Sequence, residues 1–184
     1  MSTKNLLSLS AVAATLLSTS AFAQIEANLS INNANSLTGN DDVVAKLTFT
    51  NTEDHPMQML KYLMKANKNG ELEENLFEVT RDGKVVSYEG MHVKRPAPTP
   101  ADYITIKPGQ SVSYSIELSG VYDLNQAGNY SIQYNATNMS LFSAQPMLNA
   151  KAANLGMDGV LSNEANVFIA KGERDYVSMS NAKR

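Results

Sequence analysis

The chain has 184 residues, with 15 Lys and Arg against 18 Asp and Glu, a formal net charge of -3, and neither cysteine nor tryptophan. The missing cysteines exclude disulfide staples and thiolate metal sites. The basic residues are scattered rather than run together, which argues against nucleic acid and anionic membrane surfaces as partners; Lys94-Arg95, before a Pro-rich stretch, reads as a solvated loop flank.

Residues 1–23 carry the three parts of a secretory signal: Lys4 in a short polar start, an apolar and small-residue stretch from Leu6 to Leu17, and Ala21-Phe22-Ala23 before Gln24. Cleavage after Ala23 is expected and would leave 161 residues carrying -4, a size that suits a single domain. Folding of such a chain buries roughly 68–70% of its unfolded surface, so packing alone can hold it. No later segment approaches the ~18 consecutive apolar residues of a membrane helix, so no membrane insertion is expected and a periplasmic or secreted location is. One domain over residues 24–170 and a polar, flexible tail over 171–184 complete the expected organisation.

From Gln24 to about Ser140 short alternating segments are separated by turn residues, the signature of strands. Glu26 to Ile31 opens the sheet. Val43 to Thr52 places Val43, Ala45, Leu47 and Phe49 on one face and Lys46, Thr48 and Thr50 on the other. Met57 to Lys65 is ambiguous in period and reads as a strand followed by an excursion, with a polar loop at Asn67 to Glu74. Phe77 to Thr80 and Lys84 to Tyr88 flank Arg81-Asp82-Gly83, where Asp-Gly supplies the positive φ angles of a tight hairpin. Pro96, Pro98 and Pro100 punctuate a loop that belongs at the surface or at a sheet edge, because proline donates no ladder hydrogen bond. Tyr103 to Ile106 is a short strand and Lys107-Pro108-Gly109-Gln110 a turn. Ser111 to Leu118 alternates, with Val112, Tyr114, Ile116 and Leu118 inward. Tyr130, Ile132 and Tyr134 share a face of the next strand, and Asp123, Gly128 and Tyr130 are spaced like a corner where a tyrosine hydroxyl ties down an upstream backbone group. Gln145 to Val160 reads as a long loop or short helix, and Asn166 to Ala170 as the last strand. Together these predict an all-β, antiparallel, immunoglobulin-like sandwich of about seven to eight strands without a disulfide.

The chemistry-bearing residues are few. There are two histidines, His55 and His92, and no H-E-x-x-H, G-x-S-x-G or Gly-rich phosphate loop. No catalytic residue and no cofactor site is assigned. The acidic pairs Asp41-Asp42 and Glu73-Glu74 fall in turn-like contexts and read as solvated. Imidazole and thioether are ligands that Cu(I) prefers, so His55, Met57, Met59 and His92 form a candidate copper set, against which stands the ordinary use of Met as core filler.

From Leu76 to Ile132 the chain resembles the N-terminal propeptide domain of the deuterolysin-like (aspzincin) metalloendopeptidases. The resemblance rests on Asp42 to Asn51, Leu60-Lys61-Tyr62, Leu76 to Val79, Asp82-Gly83 followed by Tyr88-Glu89-Gly90, Ile106 to Ser111, and Gly128-Asn129-Tyr130, and is expected to extend over roughly residues 25–170. In that family the zinc ligands belong to a catalytic domain C-terminal to the propeptide, and no residue of that site can be carried over. The resemblance implies a non-enzymatic relative of the prodomain, whose family role is to assist folding of the protease and cover its active site. A metallopeptidase is the implied partner, with Arg95, Pro96, Pro98, Pro100 and Tyr103 of the Pro-rich loop, and the tail from Gly172 to Arg184, as candidate contacts. The pro-part of a split or truncated precursor and a periplasmic copper-binding protein are the alternatives.

Overall fold

The computed structural model describes residues 25–64, 72–136, 142–143 and 160–172. The expected signal segment, the 145–159 stretch and the tail beyond Gly172 lie outside the described residues. Its regular structure is almost entirely strand: β1 Ile25–Ile31, β2 Val44–Asn51, β3 Met57–Leu60, β4 Phe77–Arg81, β5 Lys84–Val85, β6 Tyr103–Ile106, β7 Ser111–Glu117, β8 Gly128–Asn135, β9 Phe142–Ser143 and β10 Leu161–Ile169.

These segments are strands because their apolar residues recur every second position, which puts one face of each on the core. On β2, Ala45, Leu47 and Phe49 are fully buried while Lys46 is exposed. Ile25, Ala27 and Leu29 of β1 and Tyr130, Ile132 and Tyr134 of β8 do the same. On β7 only Ile116 of the strand is fully buried; Val112 and Tyr114 are half-buried.

A seven-stranded sheet runs in the order β5-β4-β8-β10-β1-β2-β7, and a three-stranded sheet runs β6-β3-β9. The sandwich-like, all-β architecture is as expected. Its pairing is not purely antiparallel: β1 and β10 lie side by side in parallel, so the large sheet is mixed. The first and last strands meet in mid-sheet and run the same way, a non-local pairing that alternation cannot reveal. The core lies on one face of the large sheet, closed by Met57, Met59 and Leu60 of β3, by Ile106, and by Leu72, Leu76, Leu118, Val121, Tyr122 and Leu124 from the connections.

The Met57 segment is a strand to Leu60 followed by a 3-10 turn over Lys61–Met64, as its reading as a strand followed by an excursion anticipates. Two boundaries differ from expectation. The second arm of the hairpin is strand only over Lys84–Val85, with Val86 N still donating to Val79 O, and does not continue as strand to Tyr88. The last strand begins at Leu161, five residues before Asn166, and carries a bulge at Ser162-Asn163. There the side chains complete the ladder: the buried Ser162 Oγ accepts from Tyr134 N at 3.0 Å, and Asn163 bonds both Leu29 N (2.7 Å) and Leu29 O (2.9 Å) across the β1 junction.

Candidate functional site

The Pro-rich segment, the two histidine regions, the hairpin end of the large sheet and the sheet edges are the places where chemistry or contact is possible. The Pro-rich segment is built outward from a tied root. Arg95 pairs with Glu73, and His92 Nδ1 lies 2.7 Å from Glu74 Oε1. Val93 N donates to Glu73 O, and the Tyr88 hydroxyl lies within hydrogen-bond reach of Leu72 O (2.9 Å) and Met91 O (3.0 Å). Tyr88 also stacks edge-on against Tyr122 and His92, with ring centroids 5.5 and 5.2 Å apart. Glu73 and Glu74, expected to be merely solvated, are thus the anchors of the neighbouring loop, and Arg95 is engaged within the chain.

Beyond that root, Pro96 and Pro100 are exposed and Pro98 is half-buried. Pro100 opens a 3-10 turn through Asp102, whose carboxylate accepts from Thr99 N and Thr99 Oγ1 at 2.8 and 2.7 Å. Tyr103 then begins β6, an edge strand of the small sheet, and packs half-buried against the core. The five candidate contact residues therefore occupy one continuous segment from a pinned loop to a sheet edge.

The imidazoles and thioethers of the candidate copper set differ in exposure. Met57 and Met59 are fully buried on β3, where Met is filling the core. His55 sits between carboxylates, with Nδ1 3.0 Å from Asp54 Oδ1 and 3.8 Å from Glu53 Oε2. His92 is held by Glu74, two-thirds exposed. The cluster Glu53, Asp54 and His55 offers oxygen and imidazole donors, a harder set than the thioether and imidazole combination suited to Cu(I).

A shallow trough of ≈ 450 Å³ lies at the hairpin end of the large sheet, lined by Thr80, Asp82, Gly83, Asn129, Ser131 and Asn166 among others. It follows from the Asp-Gly turn, in which Asp82 (φ 49°) and Gly83 (φ 76°) both take left-handed conformations. The Asp82 carboxylate accepts from Asn129 N and Asn129 Nδ2, bonds that hold its pKa below the ordinary carboxylate value. The Asp82 carboxylate is thereby occupied in joining the hairpin to β8.

Sequence reasoning missed two amide and hydroxyl clamps. Asn51, fully buried, donates through Nδ2 to His55 O and Ile106 O at 2.9 Å each and accepts from Glu53 N. It fixes the root of the His55 loop to β6. The other is the Ser162-Asn163 pair. No local pattern marks either, because their partners are distant in sequence or in the following loop.

No family model matches the chain. Among curated proteins, the extracellular protease of Aeromonas hydrophila is 44% identical over 94 residues, covering 51% of this chain and 26% of that protein. The neutral protease 2 homolog MEP8 of Coccidioides posadasii (strain C735) is 28% identical over 89 residues, 47% of this chain and 24% of that protein. The matched stretch is shorter than the 25–170 span expected from the resemblance, and the chain spans about a quarter of the length of these relatives. The chain is thus related to proteases through a region of about half its length.

Proposed function

We propose that this chain is an exported, non-enzymatic binding protein that engages a deuterolysin-like metallopeptidase as a propeptide does, inhibiting it or assisting its folding. The observation that carries this reading is the partial likeness itself: 44% identity to about a quarter of an extracellular protease, borne by a chain whose described residues form a β fold with its own core. Secretory export fits the pattern of residues 1–23 and the extracellular location named for the Aeromonas relative.

The same partial coverage favours a second reading, the pro-region of a split or truncated precursor. The two separate by action in trans. Residues 24–184 would be added in excess to active Aeromonas hydrophila extracellular protease, and separately to the denatured enzyme during refolding. Lowered peptidase activity or a raised refolding yield is the expected result. Full activity and an unchanged yield at excess protein would remove the inhibitor and folding-assistant reading.

A further inference from the structure

We propose that the outer edge of β7 is the docking strand of this protein, and that its occupant is an extended segment of the metallopeptidase added to the sheet by main-chain pairing; this rests on the function proposed above. The register of β7 against β2 identifies the backbone groups that have no strand partner among the described residues. Leu118 N donates to Val43 O and Asn51 N to Gln110 O, and the pairs between follow the same register, Ala45 with Ile116, Leu47 with Tyr114, Phe49 with Val112. In an antiparallel ladder hydrogen-bonded and non-bonded pairs alternate. Val112, Tyr114 and Ile116 therefore direct their backbone groups to β2, and Ser111, Ser113, Ser115 and Glu117 direct theirs away from the sheet.

The other edges among the described residues are managed as sheet edges usually are. β5 is two residues long and carries Lys84; β6 is four residues long and follows Pro96, Pro98 and Pro100; β9 is two residues long. β7 is seven residues long and contains no lysine and no proline. Its outward residues are mostly serines, small enough for another backbone to approach to the ~4.8 Å spacing of paired strands. Its core-side residues Val112 and Tyr114 are only half-covered, with Tyr114 edge-on to Phe49 at 6.4 Å. A strand laid along β7 would complete their burial with its own alternate apolar side chains.

A peptidase fits this description because its cleft holds polypeptide in extended form and so itself presents unpaired main-chain groups, the complement of such an edge. A second copy fits less well, since both partners would bring the same net negative charge and the same Glu117.

The test is binding and inhibition of active Aeromonas hydrophila extracellular protease by residues 24–184, as wild type, Ser115→Pro, Ser113→Lys and Thr80→Lys. Ser115→Pro removes an outward N–H and leaves the β2 ladder intact, while Ser113→Lys places a charge on the edge. Thermal unfolding accompanies each variant, and Ser113→Lys decides the question should Ser115→Pro not fold. Loss of affinity by about tenfold or more in the two edge variants, with Thr80→Lys as wild type, is expected. Wild-type affinity in folded edge variants would overturn the docking strand and leave the proposed function standing. Absence of any binding by wild type would overturn both, and a dimer by light scattering that Ser113→Lys dissolves would assign the edge to a second copy instead.

Discussion

Single side chains do much of the tying in this fold, and they differ in how far the sequence announces them. Tyr130 donates its hydroxyl to Gln126 O at 2.8 Å, four residues upstream, the arrangement that Asp123, Gly128 and Tyr130 suggest by spacing. Tyr130→Phe keeps the ring in the core and removes the hydroxyl's bonds to Gln126 O and to the Arg81 side chain, so a loss of about 1–2 kcal/mol is expected, read as a fall in denaturation midpoint with unchanged slope. Asn51 gave no such signal, because an Asn at the end of a strand is an ordinary turn residue until His55 O, Ile106 O and Glu53 N are seen around it. Asn51→Ala strands these groups in a buried site, and a loss of about 2–4 kcal/mol is expected by urea denaturation. The two substitutions rank oppositely to their legibility. Met57 and Met59 show the converse: their spacing beside His55 suggests a ligand set, while alternation on a strand also puts both on the core face, where they are fully buried.

At the scale of elements, alternation located the strands whose inward residues are apolar and missed the start of β10, where Ser162, Asn163 and Glu164 carry no strand preference and are held by a bulge and by side-chain bonds to β1 and β8. The turn of the β4-β5 hairpin was legible because Asp-Gly encodes its own backbone geometry, while its second arm is shorter than the Lys84 to Tyr88 expected. Gly83 has φ 76° and open space around the position of a Cβ, so Gly83→Ala meets conformational strain and no clash, and a loss of about 1–2 kcal/mol is expected in thermal or chemical unfolding. The same turn sets a pH dependence. Asp82 is held below its ordinary pKa, chiefly by the backbone bond from Asn129 and then by its side chain. A carboxylate with a depressed folded-state pKa contributes stability that is complete above its unfolded value and is lost as pH falls through the folded one. Asp82→Asn, which tolerates the left-handed conformation, is therefore expected to lie below wild type in melting temperature near neutrality, with the gap closing below about pH 4. A gap that stays constant to acid pH would assign the difference to the turn and not to the charge.

For the whole molecule the decisive feature is where the last strand goes. β10 lies between β8 and β1 in the middle of the large sheet, so β5-β4-β8 on one side and β1-β2-β7 on the other are joined through it. Strand order of this kind is set by contacts between residues more than a hundred positions apart, such as Asn163 with Leu29, and no local pattern carries it. The sheet is therefore expected to fold as one cooperative unit, with β10 joining its two halves. A chain ending at Val160 lacks the strand that joins the halves and leaves Tyr130, Ile132 and Tyr134 beside an open edge; it is expected to show no cooperative melting transition and to be digested rapidly by trypsin, while residues 24–184 melt in a single step. The consequence reaches the proposed function: because folding waits for residues 161–169, the β7 edge is presented on a stable sheet only after that strand is in place. A truncated chain that still bound the protease with full affinity would show that recognition is carried by a short segment rather than by the assembled sheet.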